Sequence, residues 1–201
     1  MRAPLRPAQS VPSLSHPKSQ IPPLNPLERR AAIGLAGIYG LRMLGLFLIL
    51  PVFALYAPDL EGATPLLVGV AIGAYGLTQA MLQIPFGMLS DRIGRKPVIF
   101  AGLAVFVLGS AIAALATDIH WVIIGRVIQG AGAVSAAVTA LTADLTRESV
   151  RTRAMAGIGA SIGLSFGLAL VIGPAVARIW GLAGVFWLTA ILAFCGILIL
   201  A

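Results

Sequence analysis

The chain has 201 residues, 59% hydrophobic and 10% charged, with a formal net charge of +7 and a single cysteine, Cys195. A water-soluble domain keeps about a quarter of its residues charged, so most of this surface must face something other than water. The basic residues are scattered between apolar stretches, which excludes a nucleic-acid grip, and one cysteine excludes an intramolecular disulfide and a cysteine-built metal site.

Residues 1–27 form a polar leader with Pro4, Pro7, Pro12, Pro17, Pro22, Pro23 and Pro26. Prolines lack the N–H a helix needs and few apolar side chains are present, so a disordered cytoplasmic tail is expected. The leader has no apolar run before a small-residue cleavage site and does not read as a signal peptide.

Residues 28–201 are expected to form an all-α membrane domain of six transmembrane helices. A span needs about 20 mostly apolar residues, and segments at 31–57, 65–89, 97–117, 119–143, 154–177 and 182–201 qualify. Helix is the expected conformation because lipid offers no partner for a free backbone group. Pro51, Pro85 and Pro174 should interrupt three of the spans. The last span reaches Ala201 without closing basic residues, so a carboxy-terminal half is expected to follow. Cations gather on one side: Arg2, Arg6, Lys18, Arg29 and Arg30, then Arg92, Arg95 and Lys96, then Arg147, Arg151 and Arg153. The opposite connections hold Asp59, Glu61 and Asp118, with Arg178 the lone cation. A cytoplasmic amino terminus follows from this bias.

In the first span, Arg42 lies too deep to snorkel and calls for a partner, either a solute anion or a residue of the further half. The second span carries Tyr75, Gln79 and Gln83 at i, i+4 and i+8, a polar stripe suited either to a solute or to interhelical bonding.

The turn between the second and third spans reads Gly87-Met-Leu-Ser-Asp91-Arg92-Ile-Gly94-Arg95-Lys96-Pro97. Gly87 permits close helix approach, Gly94 can take positive φ, and Pro97 suits a helix start. Topology alone would ask only for cations. An acid, two glycines and a basic pair at fixed offsets resemble the loop motif of the major facilitator superfamily, G-x-L-[SA]-D-R-x-G-R-[RK]. The resemblance implies two three-helix inverted repeats forming the amino-terminal bundle of a twelve-helix secondary transporter. It also implies a latch closing the cytoplasmic side in the outward-open state. There the acid, Asp91, meets the other half, and the arginine, Arg95, meets an acid at the end of the fourth helix, a role open to Asp144.

The fourth span has Arg126-Val-Ile-Gln129-Gly130, similar to the family's R-x-x-Q-G. Arg126, Gln129, Gly130, Ala133, Ala137, Ala140 and Asp144 would share one face of a continuous helix. That face can line the transport path, or Arg126 can be structural, paired with a carbonyl or with Asp118. The fifth span has Gly159, Gly163 and Gly167 on a ridge suited to close helix packing. It ends in Gly173-Pro174, a partial match to the family's antiporter pattern, with Ala177 and Arg178 where its last glycines stand.

The runs Leu41–Gly45, Tyr75–Ala80 and Asp144–Glu148 resemble the bacterial YajR group of proton-driven exporters. That likeness implies efflux of a small solute coupled to H+, by an inner-membrane protein. The residues themselves name neither solute nor proton carrier, since every acid lies near a span boundary. No cofactor or metal is expected. A membrane enzyme would need a clustered His, Asp or Cys set, which the sequence lacks; a self-pairing or non-transporting six-helix subunit is the alternative.

Overall fold

The computed structural model describes residues 22–201. It is all helical: α1 (Pro26–Tyr56), α2 (Pro65–Ile93), α3 (Arg95–Leu115), α4 (Ile119–Ala131), α5 (Ser135–Asp144) and α6 (Glu148–Leu200). Most of the expected tail 1–27 lies outside the described residues, but its last residues belong to the bundle. Asn25 caps α1 by accepting from the Glu28 amide, and the Glu28 carboxylate accepts from the Asn25 amide. This reciprocal cap starts the helix five residues before the apolar run, at Pro26.

Five helical stretches are long and apolar enough to cross a membrane, with α4 and α5 together making one of them. The fifth, α6, has 53 residues, so as a straight rod it would reach about 80 Å, far beyond a 30 Å hydrocarbon core. It does not run straight. Ser165 Oγ donates to the Gly40 carbonyl and Thr189 Oγ1 to the Gly45 carbonyl. Two residues 24 apart thus touch points five apart on α1, which requires the chain to fold back between them. The reversal is Gly181, with φ 64° and ψ −165°, a backbone region open essentially to glycine alone. The arm before it runs parallel to α1, Ser165 meeting Gly40 and Gly173 lying against Leu48. The arm after it runs antiparallel, with Phe186 on Phe53, Thr189 at Gly45 and Gly196 near Ile38.

The helix interruptions fall where the sequence does not announce them. Helix geometry continues through Pro51, Pro85 and Pro174, since a proline frees only one carbonyl and neighbouring helices tolerate that in lipid. The fourth span breaks instead at Gly132–Val134, between α4 and α5. The expected continuous face from Arg126 to Asp144 is therefore two half-helices. Its members Arg126, Gln129, Gly130, Ala133 and Ala137 are buried against protein, while Asp144 is exposed.

Helix contact rests on missing side chains. A Cβ on Gly109 of α3 would lie 2.5 Å from the Gln129 amide nitrogen and 2.7 Å from the Gly125 carbonyl. One on Gly125 would lie 2.8 Å from the Gly109 carbonyl. The α3–α4 crossing is thus backbone on backbone, the close packing small residues allow where lipid supplies no hydrophobic drive. The ridge Gly159, Gly163 and Gly167 behaves differently from expectation: among the described residues, no atom beyond their own helix backbone and chain neighbours lies within 4 Å of where their side chains would be.

The buried side chains form layers. Leu48, Ile49, Val52 and Phe53 pack with Ile119, Val122, Val185 and Phe186 toward the end carrying the 57–64 and 116–118 connections. Leu35, Ile38 and Tyr39 pack with Ile99, Leu103, Val138 and Ile158 toward the basic end. Between them lie Tyr75 and Phe106, and at that level the polar residues of the interior meet.

Candidate functional site

Two constellations stand out, one at the basic end and one in the middle of the bundle. At the basic end, Gly94 takes φ 100°, turning the chain from α2 to α3 within a single residue. This brings Arg95 back over the end of α2, where its Nη1 lies 2.5 Å from Asp91 Oδ1 and donates to Ser90 Oγ at 2.7 Å. Ser90 is fixed in turn by donating to the Gly87 carbonyl at 2.7 Å. Arg95 Nε reaches Asp144 Oδ2 at the end of α5, 3.2 Å away. A Cβ on Gly87 would sit 3.3 Å from Ala136 Cβ, so its absence lets α2 approach α5. One guanidinium therefore bridges two carboxylates on different helices, which hold its pKa above the ordinary arginine value against partial desolvation. Asp91 keeps 60% of its side chain exposed. Arg92 and Lys96 are exposed.

A second ion pair beside it did not stand out in the sequence. Arg147, at the start of α6, donates to Glu28 through Nε at 2.7 Å and Nη2 at 3.0 Å, and its Nη2 also reaches the Pro23 carbonyl. Glu28, on the terminal turn of α1 ahead of the membrane-spanning part, is held at a pKa of about 2 by those bonds and by the Asn25 amide. A depressed carboxylate contributes stability that is complete above its unfolded pKa and lost as pH falls through the folded one. The pair thus stays intact at neutral pH and weakens only in strong acid. The cue was available: Asn25-Pro26-Leu27-Glu28 is a capping pattern.

The central constellation gathers Arg42, Tyr75, Gln79, Arg126 and Gln129. Arg42 Nη2 donates to Tyr75 Oη at 3.2 Å, to Gln79 Oε1 at 3.1 Å and to the Gly132 carbonyl at 3.2 Å. Tyr75 Oη donates to Gln79 Oε1. Arg126 Nε donates to the Ala71 carbonyl at 3.3 Å and Nη1 to Gln129 Oε1 at 2.8 Å. Gln129 Nε2 continues to Ser110 Oγ at 2.7 Å, and Ser110 donates to the Phe106 carbonyl. Each guanidinium also lies over an aromatic ring, Arg42 5.2 Å from the Phe106 centroid and Arg126 4.6 Å from that of Tyr75. Such desolvated contacts are worth about 2 kcal/mol. Gly130 completes the contact, because a side chain there would strike the Tyr75 carbonyl. Gln83, the third member of the expected stripe, is half-buried and takes no part in these bonds.

Arg42 is fully buried and Arg126 is 2% exposed. Neither meets an acid among the described residues, whose ion pairs are Arg95 with Asp91 and Asp144, His120 with Asp118, and Arg147 with Glu28. Asp118, weighed as a partner for Arg126, instead caps α4 by accepting from the His120 and Trp121 amides. Arg126 has its carbonyl, that of Ala71. Arg42 remains short of bonds: among the described residues its Nε and Nη1 have no partner, nor has Ser135 Oγ. Each unmade buried bond costs about 1–3 kcal/mol, more for a charged group. Ser110 and Gly132 escaped the sequence reading because only the fold brings them to Gln129 and Arg42. Gly173, at the far end of α1, allows a close approach in which a Cβ would lie 2.7 Å from the Leu48 carbonyl; Pro174 follows inside the helix.

The family model described as Major Facilitator Superfamily matches residues 35–201. The chain is 56% identical over 174 residues to the inner membrane transport protein YajR of Escherichia coli, covering 87% of this chain and 38% of that protein. It is 41% identical over 176 residues to an uncharacterized transporter of Buchnera aphidicola from Schizaphis graminum, covering 88% and 45% respectively. It thus spans less than half the length of these relatives. Among solved structures, the human organic anion transporter MFSD10 matches with a TM-score of 0.72 at 22% identity, covering 88% of this chain and 47% of that one. The peptide-transporter-family protein PepTSo matches with a TM-score of 0.72 at 17% identity, covering 89% and 37%. The chain belongs to the Major Facilitator Superfamily.

Proposed function

We propose that the chain is the amino-terminal six-helix unit of a secondary active transporter that moves a small solute across a bacterial inner membrane by alternating access. The two arms of α6 count as the fifth and sixth spans, and the six form two three-helix inverted repeats. The amino terminus and the Gly87–Lys96 turn face the cytoplasm. The observation that carries this reading is Arg95 bridging Asp91 and Asp144: a charged clamp across two helices at the cationic end, with one acid still open outward. It acts as the cytoplasmic latch, together with Gly87, Arg92, Gly94 and Lys96.

The complementary half is expected to sit against α2 and the first arm of α6. Gly69, Gly73 and Gly76 on α2, and Gly157, Gly159, Gly163 and Gly167 on α6, have nothing within 4 Å of a notional side chain. Rocking one unit against the other would open the midplane to each side in turn. Arg42, Tyr75, Gln79, Gln83, Arg126, Gln129 and Gly130 are assigned to the transport path, and Gly173-Pro174 to the pivot between α1 and α6. Proton-coupled efflux is the favoured mode, by likeness to the family's exporters. Its proton carrier would come from the part of the relatives' length that this chain does not span.

The test is a solute panel in proteoliposomes containing the complete gene product, with and without a pH gradient. At least one solute should move faster than through protein-free vesicles, and the gradient should change the rate. Correctly inserted protein that moves no member of the panel under either condition would contradict the proposal.

A further inference from the structure

Resting on the latch reading of Arg95, we infer that Glu28 is a positioning residue for that latch, acting through Arg147 and the three-residue corner that joins α5 to α6. The corner is Leu145-Thr146-Arg147 and directly follows Asp144, the acid that Arg95 reaches. Its two ends have different holders. Arg95, at the start of α3, grips Asp144, and Glu28, on the first turn of α1, grips Arg147.

These charges stand against their own helices. Asp144 is the last residue of α5, and Arg147 occupies the amino-terminal cap of α6 without bonding that helix through its side chain. A helix dipole disfavours an acid at its carboxy end and a cation at its amino end. What favours each charge is therefore its partner on another helix. The Glu28 grip is the tighter of the two. Its carboxylate, on a residue 5% exposed, accepts from the Arg147 amide at 3.1 Å, Nε at 2.7 Å and Nη2 at 3.0 Å. The Asn25 amide holds the same carboxylate at 2.8 Å. Asp144 is exposed and accepts from Arg95 at 3.2 Å.

The link between the two grips is stiff. Leu145 donates its amide to the Leu141 carbonyl at 3.0 Å, and the buried Thr146 donates its hydroxyl to the Thr142 carbonyl at 2.7 Å. Both residues are thus tied back onto α5, so a displacement of Arg147 is carried to Asp144 rather than absorbed between them. Fixing Arg147 on α1 sets where Asp144 meets Arg95, and Arg95 in turn holds Asp91 and Ser90 on α2. Through the corner, α1 and the α2–α3 turn act as one unit.

Glu28→Gln separates the two duties of the carboxylate. Its amide oxygen still accepts from Asn25, since glutamine serves in the same cap, but the charge facing Arg147 is gone. Arg147 has 54% of its side chain exposed and can turn to water, so no buried charge is stranded. The readout is hydrogen–deuterium exchange of the complete gene product in lipid nanodiscs, at residues 90–96. That turn bonds Asp144 and not Glu28. Glu28→Gln should speed exchange there about three- to tenfold by easing local opening, and Asp144→Asn should do the same. The double variant should exchange no faster than Asp144→Asn alone, because both act through one path. Arg147→Lys keeps the charge but loses the fork, so a smaller rise at the same amides is expected. It keeps the test open if Glu28→Gln fails to fold.

Faster exchange confined to the first turns of α1 and α6 would make the pair a local tie and overturn the inference. Additive effects in the double variant, or unchanged exchange at residues 90–96 in the variants of Glu28 and Arg147, would overturn it too. The flux assay reads the transport proposal separately. Coupled exchange without flux keeps the positioning role and removes the transporter; flux without coupled exchange does the reverse.

Discussion

Gly109→Ala is expected to lower stability by about 2–3 kcal/mol, because one methyl group must enter space already filled by the Gln129 amide and the Gly125 carbonyl. Those are backbone atoms of α4, so no rotamer change relieves the overlap, and α3 must move away as a body. The movement would also pull Ser110 from Gln129, and Gln129 from Arg126, in the buried polar layer. Gly34→Ala is the control: among the described residues nothing beyond its own helix backbone and chain neighbours lies within 4 Å of its notional side chain, and alanine is the better helix former. Thermal unfolding in detergent or nanodiscs checks both. A clearly lowered midpoint for the first and an unchanged or raised one for the second are expected. Equal midpoints would remove the backbone-on-backbone crossing from the account.

The second large effect is functional. Asp91→Asn or Arg95→Ala should cut transport about tenfold or more while leaving membrane insertion intact. Arg95 holds Asp91, Ser90 and Asp144 together, and losing it releases α2 from α5 at the basic end of the bundle. An exposed ion pair alone is worth at most about 1 kcal/mol, but a network is worth more. Roughly 1.4 kcal/mol suffices to move a two-state balance tenfold. The charge is at stake more than the packing, since Asp91 is mostly exposed, so the isosteric amide should act nearly as strongly as truncation. Uptake or efflux at wild-type rate by either variant would contradict the latch.

Much of this was legible in the sequence because it depends on local chemistry. Apolar length marked a chain of membrane-length helices, of which five stretches are found where six were expected, and the offsets of Gly87, Asp91, Gly94 and Arg95 marked a turn that the fold renders as a one-residue reversal. Asp144 was nameable as the partner of Arg95 only through family likeness, since 49 residues separate them. The α4–α5 break was not legible: Ala131 to Ala137 is rich in alanine, which favours helix, Gly132 is only a weak cue, and no proline announces an interruption. The prolines misled in the opposite sense, because a lost N–H is tolerated inside lipid-embedded helices. The reversal at Gly181 carried only a weak cue, one glycine between Trp180 and Leu182. Arg42 announced itself by depth alone. What it lacks became visible only when its neighbours, from three other segments, were in place.

The proposed transport cycle requires a helical bundle threaded through a bilayer with its cationic hairpin on the inner side. The direct test replaces Cys195 with serine, introduces Arg92→Cys at an exposed position of the hairpin, and compares labelling by a membrane-impermeant maleimide in intact cells and in inside-out vesicles. Labelling confined to the inverted vesicles is the predicted result. Labelling from the exterior of intact cells would contradict the orientation, and with it the latch and the transport cycle built on it.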